Sequence, residues 1–178
     1  MKTKKSIYLL AGLALTLMAC TNENDALEES PLKTATLKAG ATQIDGVGFY
    51  AEEADCDYVS EGADFALALT GDLEGCLYVF VEDYACSPSG TYREAGKEYF
   101  VGTYNGEFGT FWTTYKFEAK YEGCSEDGFF LGAEIFGRCQ HPIIKDSGTG
   151  TFEGVSGRVN FKDDVVNFEF PYKGHLRY

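Results

Sequence analysis

Residues 148–172 constrain the fold more than any other stretch, because apolar and polar side chains alternate there in two consecutive runs. In the first run Val155, Val159 and Phe161 share one parity, and polar residues stand between them. An Asp-Asp pair follows, and the alternation then resumes as far as Tyr172. Period-two alternation is typical of strands with one buried and one exposed face. We therefore predict a closing antiparallel hairpin.

The same pattern recurs in residues 108–121, where Phe111, Thr113 and Tyr115 fall on one face and Trp, Lys and Glu side chains on the other. An Asn-Gly pair stands just before this stretch. Asn-Gly is the preferred centre of a type I′ hairpin turn, because both residues tolerate positive φ. This part of the chain is therefore predicted to form a second hairpin.

Seven or eight antiparallel strands in up-and-down order are expected in all. Outside the closing hairpin, the predicted strands span residues 47–52, 58–70, 73–84, 97–103, 108–121 and 129–138. Residues 86–96, which contain Pro and Gly, and residues 139–147 are predicted to be loops. A meander of this length closes on itself because closure removes exposed edges. The prediction is an all-β domain, a small antiparallel up-and-down barrel over residues 42–178, whose interior is just filled or holds one small ligand.

The N-terminus reads as an export signal. Residues 1–19 combine a basic start, an apolar run and a small residue before Cys20. The apolar run is shorter than the roughly 20 residues that span a bilayer. The Leu-Met-Ala-Cys segment resembles the lipobox of bacterial lipoproteins, which implies removal of a signal peptide and lipid attachment at Cys20. The alternative is an ordinary cleaved signal with a chance cysteine.

Residues 20–41 are polar and acidic and lack core periodicity, so we predict a flexible tether between the lipid and the barrel. Glu23 and Asp25 resemble the acidic signals that send some Gram-negative lipoproteins to the cell surface. A plain solvated linker is the alternative. The expected location is the cell envelope, lipid-anchored at the outer membrane of a Gram-negative bacterium, with its periplasmic or surface face left open.

The formal net charge of −13 over 178 residues bears on partners. An acidic surface repels phosphate backbones, so nucleic acid is not expected to bind. We interpret this negative charge as a feature that keeps an exported protein soluble. The expected partners are the membrane, through the lipid, and an apolar small molecule.

Two segments carry a family resemblance. The run GTGTFEGVSGRVNF with its following FPY strand, and the run GKEYFVGTYNGEFGTFWTTYKFEA, resemble the closing and central hairpins of the allene oxide cyclase-like (dirigent-like) barrel family. That family includes plant cyclases acting on a fatty-acid epoxide, bacterial polyketide cyclases and proteins of unknown function. Its catalytic acid lies near the start of the barrel, in the region of Glu52 or Glu53 here. No motif aligns either residue, so the resemblance implies the fold and not an activity.

Five cysteines follow Cys20, and an oxidising compartment favours disulfides. The alternation of strand ends between two rims predicts Cys56–Cys86 first and Cys76–Cys139 second, which leaves Cys124 as the free thiol. No Cys-x-x-Cys motif is present and only two histidines occur, so neither a metal nor another cofactor is expected.

Candidate chemistry is sparse. Glu153 shares the parity of the buried face, and a carboxyl in an apolar barrel would work as an acid or base, although Gly154 favours an exposed rim position. His141 would guard a barrel mouth or simply be solvated. Aromatic residues such as Trp112 would stack on a ligand or form core. The predicted cavity-lining residues are Phe111, Tyr115, Phe117, Glu153, Phe168 and Phe170.

Two functions are consistent with the sequence. The first is a non-enzymatic lipoprotein whose barrel binds an apolar small molecule or a partner protein. The alternative is a cyclase or isomerase that acts on an apolar substrate in the barrel cavity. No catalytic set can be read from the sequence, which favours binding. A barrel with no room inside would exclude the enzyme, whereas a cavity of several hundred Å³ with a buried carboxylate would support it.

Overall fold

The computed structural model describes residues 40–52, 55–56 and 62–178, and this part of the chain is all strand and turn. The predicted signal peptide, the predicted lipid-attachment residue Cys20, the predicted tether as far as residue 39, with Glu23 and Asp25, and Glu53 lie outside the described residues. The strands are β1 Thr42–Tyr50, β2 Phe65–Gly71, β3 Leu73–Cys86, β4 Thr91–Tyr104, β5 Glu107–Cys124, β6 Phe130–Pro142, β7 Thr149–Gly150, β8 Ser156–Lys162 and β9 Phe170–Arg177. None of the described residues forms a helix that is long and apolar enough to cross a bilayer.

Eight of these strands close into an antiparallel barrel. Each long strand pairs with the next along the chain, with β6 pairing directly to β8, and β1 pairs with β9 to complete the ring. The two-residue β7 adds only a short ladder beside Gly109 and Thr110 of β5. The predicted all-β up-and-down barrel is therefore confirmed. Closure leaves no long edge strand in the described part of the chain, which explains why the meander is stable without a covering helix.

The central hairpin is the longest unit of the barrel. Its two strands, β4 and β5, pair continuously from Thr91 opposite Lys120 to Tyr104 opposite Glu107. The turn between them is Asn105-Gly106, and both residues have positive φ, 53° and 79°. This is the backbone shape that the type I′ turn requires, as the sequence predicts.

The predicted loop over residues 86–96 is wrong in most of its length, because β4 already begins at Thr91. Gly96 does not break the strand. A Cβ at this position would collide with the Phe80 carbonyl and approach the Tyr115 ring, so glycine permits close packing here. The second predicted loop starts too early, since β6 continues to Pro142 and includes His141.

The closing hairpin has a longer turn than the sequence predicts. The strands end at Lys162 and resume at Phe170, and the side chain of Asp164 accepts hydrogen bonds from the backbone of Val166 and Asn167. Phe168 sits in this turn with φ of 57° and is 78% exposed. Its prediction as a cavity-lining residue is wrong, because the Asp164 cap replaces strand geometry with a turn.

One end of the barrel is plugged by aromatic side chains. Phe152, from the turn before β8, is fully buried, with its ring 4.9 Å from that of Phe111 and 5.7 Å from that of Phe100. Phe111 therefore fills the closed end and does not line the open cavity, which corrects its prediction. The Tyr172 hydroxyl accepts a hydrogen bond from the Leu73 N–H at 2.9 Å and so ties β9 to β3 at the same end.

Two disulfides occur in the described residues, Cys56–Cys76 and Cys86–Cys124, and Cys139 is free. The predicted pairs and the predicted free thiol are thus wrong. Cys76 lies between inward-facing positions of β3 and points outward, whereas Cys139 lines the interior, so the barrel wall separates them. Cys86 and Cys124 end β3 and β5 at the same rim, on either side of β4.

Candidate functional site

A cavity of about 300 Å³ occupies the half of the barrel opposite the aromatic plug. Its rim is formed by Tyr50 at the end of β1, Phe65 at the start of β2, and Phe129 just before β6. All three rings are exposed at the surface, Tyr50 most of all at 62%. The barrel is therefore a cup that is closed at one end and open to a small molecule at the other.

The cavity has an apolar side and a polar side. Leu67 of β2 and Val79 and Val81 of β3 form a hydrocarbon wall. The carboxyl groups that the described residues contribute to the lining come from β4, which adjoins β3, and from β6 and the end of β8, across the ring. A ligand inside this cup meets hydrocarbon on one flank and hydrogen-bonding groups on the other.

Three of the predicted lining residues lie on the cavity wall: Tyr115 and Phe117 of β5, and Phe170 of β9. Glu153 does not, because it is exposed in the turn at the plugged end, where Gly154 adopts a φ of 73°. Its prediction as a lining residue is corrected accordingly. Glu52 is exposed beyond the end of β1 and does not line the cavity either.

Strand β4 contributes two inward-facing glutamates, Glu94 and Glu98. Glu94 accepts hydrogen bonds from the hydroxyls of Tyr115 at 2.7 Å and Tyr92 at 2.6 Å. Burial, and then the hydrogen bond to Glu94, raises the pKa of both tyrosines far above the usual range. Both hydroxyls therefore stay protonated and hold the Glu94 carboxylate in place.

Glu98 is the most deeply buried acid in the described residues, at 2% exposure. It accepts a hydrogen bond from the Thr113 hydroxyl at 2.6 Å, and the same oxygen contacts Nδ1 of His141. His141 is itself only 4% exposed and packs against the rings of Tyr115 and Phe161. A buried acid held by a hydroxyl and an imidazole is satisfied where an isolated one would be costly.

The second nitrogen of His141 is left without a partner. Nε2 is buried and makes no hydrogen bond to any described residue, while Nδ1 is engaged by Glu98. With the Glu98 carboxylate as acceptor, the proton resides on Nδ1, and a neutral ring then carries a lone pair on Nε2. In that neutral form the imidazole presents a free acceptor on a ring that lines the cavity.

A second acidic pair, Glu134 and Asp163, lies nearer the mouth. A β-bulge at Ile135 places Glu134 and Gly137 of β6 both on the inner face. The two carboxyls meet over Gly137, where a Cβ would collide with both. Burial, and then the hydrogen bond and charge of Glu134, raises the pKa of Asp163 to about 8. The pair therefore shares a proton near neutral pH.

The free thiol of Cys139 lies among these acids. Burial raises its pKa, and the charges of Glu98, Asp163 and Glu94 raise it further. A thiol held in its neutral form is a poor nucleophile, so Cys139 serves as part of the wall and not as a reactive group. Its position also indicates that the three acids surround one shared space.

The four cavity acids were not predicted from the sequence. Glu94 was assigned to a loop, although Tyr92, Glu94, Glu98 and Phe100 share one parity that would have placed the glutamates inside. Asp163 belongs to the Asp-Asp pair that the sequence predicts as the turn of the closing hairpin, whereas it stands at the end of β8 opposite Gly137. Glu134 has no such signal, because the bulge that turns it inward reverses the parity of β6.

The described residues contain no group of three or more His, Cys, Asp or Glu side chains that could hold a metal ion. The site offers carboxyl and imidazole acceptors inside an apolar cup, and most of them already receive a hydrogen bond or share a proton. Comparison of the chain with family models, with curated proteins and with solved structures gives no match.

Proposed function

We propose that this protein is an exported, lipid-anchored barrel that binds an apolar small molecule inside its cup. The cavity of about 300 Å³ carries the proposal. That volume is at the lower end of ordinary ligand sites, which run from roughly 300 to 1,000 Å³. A hydrocarbon wall with a few inward polar groups is the usual composition of such sites.

The anchor is proposed from Cys20 and the lipobox-like segment, and two disulfides in the described residues accord with an exporting, oxidising compartment. Metabolic labelling with a fatty acid tests it. Label should be incorporated into the natural protein and be lost in Cys20→Ala. Label retained in that variant would contradict the lipid anchor.

Native mass spectrometry of the protein purified from its own host tests the binding proposal. A small molecule should co-purify with the natural protein and be lost in Leu67→Trp, because the larger ring fills the cavity from β2. Val166→Trp is the matched control, since Val166 is 79% exposed and outside the cavity. Co-purification that persists in a folded Leu67→Trp protein would contradict binding in the cup.

A second candidate function is a cyclase or isomerase that acts on an apolar substrate in the same cavity. The observation that favours it is Nε2 of His141, an unpartnered base held in place by Glu98. A base fixed by a carboxylate at its other nitrogen is a frequent arrangement for proton transfer. The likeness to the allene oxide cyclase-like barrels is proposed on the fold and on the two glycine-rich segments.

Incubation with a lipid extract of the host tests this second function. An isomerase should convert a component into a product of equal mass and different chromatographic retention. His141→Phe should abolish the conversion, and His175→Phe, the matched histidine outside the cavity, should not. Equal conversion by both variants would contradict a role for His141.

A further inference from the structure

The side chains that line the cavity indicate the chemical class of its ligand, which the volume of the cavity does not. The described residues that line it include four carboxyl side chains, Glu94, Glu98, Glu134 and Asp163, and neither lysine nor arginine. The ion pairs that involve lysine or arginine in the described residues all lie on the exterior. The acids inside the cup are thus uncompensated by any basic side chain other than His141.

Four hydroxyl donors in or beside the cavity are already in use, whereas the hydroxyl of Tyr50 at the rim makes no hydrogen bond to a described residue. The hydroxyls of Tyr92 and Tyr115 donate to Glu94, and those of Thr113 and Tyr121 donate to Glu98 and Glu134. What remains open in the buried part is a set of acceptors. Nε2 of the 4%-exposed His141 is buried without a partner, and Oε1 of Glu134 is buried with no donor besides the proton that it shares with Asp163. A ligand that satisfies the buried part of this cavity must therefore donate hydrogen bonds.

The Glu134–Asp163 pair adds a charge argument. Two carboxyls that meet in a half-buried setting are stable together only when a proton or a cation lies between them. The raised pKa of Asp163, about 8, reflects the proton in this role. An ammonium group can take the place of that proton and bring several donors with it.

Aromatic rings also line the cavity close to the acids. Phe117, Phe130 and Phe161 line the cavity on the side of the acids. Ring faces attract organic cations, most strongly where water is excluded. The opposite wall of Leu67, Val79 and Val81 suits the hydrocarbon part of the same molecule.

We propose that the ligand of this cup is an apolar organic amine, bound as its ammonium ion between the Glu134–Asp163 pair and the His141–Glu98 pair. The inference rests on the proposed binding function and names its ligand class. The ammonium donates to the open oxygen of Glu134 and to Nε2 of His141, and the hydrocarbon part lies along β2 and β3. An amine of about 11 to 16 non-hydrogen atoms matches a volume of about 300 Å³.

Isothermal titration calorimetry of the full-length protein in a neutral detergent tests the inference at about pH 8. The probes are phenylbutylamine, phenylbutanol and phenylbutyrate, which share one hydrocarbon part and differ in the head group. The amine should bind at least about tenfold more tightly than the alcohol, and the carboxylate should bind most weakly. Glu134→Gln with Asp163→Asn should weaken the amine on the order of tenfold and leave the alcohol nearly unchanged.

Glu107→Gln with Asp146→Asn is the matched control, because it makes the same two side-chain exchanges at exposed positions outside the cavity. Amine affinity should be retained in this variant. Equal or tighter binding of the alcohol or the carboxylate would overturn the ammonium assignment and leave the cup as a binding site. Absence of amine binding would also overturn it, and the binding function itself is judged separately by the co-purifying ligand and its loss in Leu67→Trp.

Discussion

Nδ1 of His141 on β6 contacts a carboxylate oxygen of Glu98 on β4, although β5 lies between their strands. Thr113 of β5 stands directly opposite Glu98 and donates to the same oxygen. Three neighbouring strands thus place one residue each into a buried polar row. The row lies between the aromatic plug and the cavity, so it is both a structural layer and the floor of the cup.

His141→Ala should destabilise the barrel by about 3 kcal/mol, because Glu98 keeps Thr113 but loses its imidazole partner while staying buried. Urea denaturation measures the loss. The double variant Glu98→Leu with His141→Phe should be more stable than His141→Ala, since apolar side chains of similar size remove the need for partners. The control His175→Ala should change stability by less than about 0.5 kcal/mol. Equal losses in both histidine variants would contradict the importance of the row.

Stability should fall as pH rises from about 4 to about 8. The pKa of Asp163 is raised from 3.8 in the unfolded chain to about 8 in the barrel, so the folded state holds the proton more tightly across that window. The groups that face Asp163 are Glu134, Tyr121, Tyr50 and Cys139, and none of these side chains can carry a positive charge. Thermal melts at about pH 5 and about pH 8 measure the difference.

Asp163→Asn should reduce this pH dependence and raise stability at about pH 8 by about 1 kcal/mol, because the amide carries no charge beside Glu134. The matched control is Asp146→Asn, which exchanges an exposed carboxyl for an amide. That control should melt like the natural protein at both pH values. A natural protein whose melting point rises over the window would contradict the shared proton.

Removing the Cys86–Cys124 disulfide with Cys86→Ala and Cys124→Ala should cost about 3 to 4 kcal/mol, the loop-closure value for a sequence separation of 38. Cys139 is free and closes no such loop, so Cys139→Ala should lower the free energy of unfolding by less. Peptide mapping without reduction should find Cys56 joined to Cys76, Cys86 joined to Cys124, and Cys139 unpaired. A linkage that includes Cys139 would contradict its position inside the barrel.

Phe152→Ala should destabilise the protein by about 3 to 5 kcal/mol, because its fully buried ring plugs the closed end and leaves a cavity when removed. Phe168→Ala should change stability by less than about 0.5 kcal/mol, since its ring is 78% exposed. Chemical denaturation of the two variants side by side gives the comparison. Similar costs would show that the closed end does not depend on the plug.

Alternation in the sequence is enough to predict the barrel and the inner face of β5, because each apolar position there points to one core. The acids of the site escape the same reasoning. Glu94 has the parity of Phe100, yet the Pro and Gly residues just upstream favour a loop there. Glu98 falls in the predicted strand 97–103, but its inward parity was not used to place it in the interior. Glu134 points inward only because the extra residue of a bulge reverses the alternation, and a bulge leaves no simple mark in composition.

The disulfide pairing also depends on which side of the barrel wall each cysteine side chain points to. Strand ends and rims can be inferred from the order of strands, but a bond also requires that two side chains leave the wall on the same side. Cys76 points out and Cys139 points in, which depends on the register of β3 and β6 and not on the spacing of cysteines. The prediction of the closing turn is wrong for a related reason. Residues that alternate like a strand form an exposed turn, because the Asp164 side chain caps it.

Thr42 and Tyr50 begin and end β1, so the chain enters the barrel at the plugged base, and the doorway lies about 25 Å away along the strand. A lipid attached upstream of Thr42, as proposed, would therefore join the barrel at the end away from the doorway and would leave the mouth clear of its own attachment point.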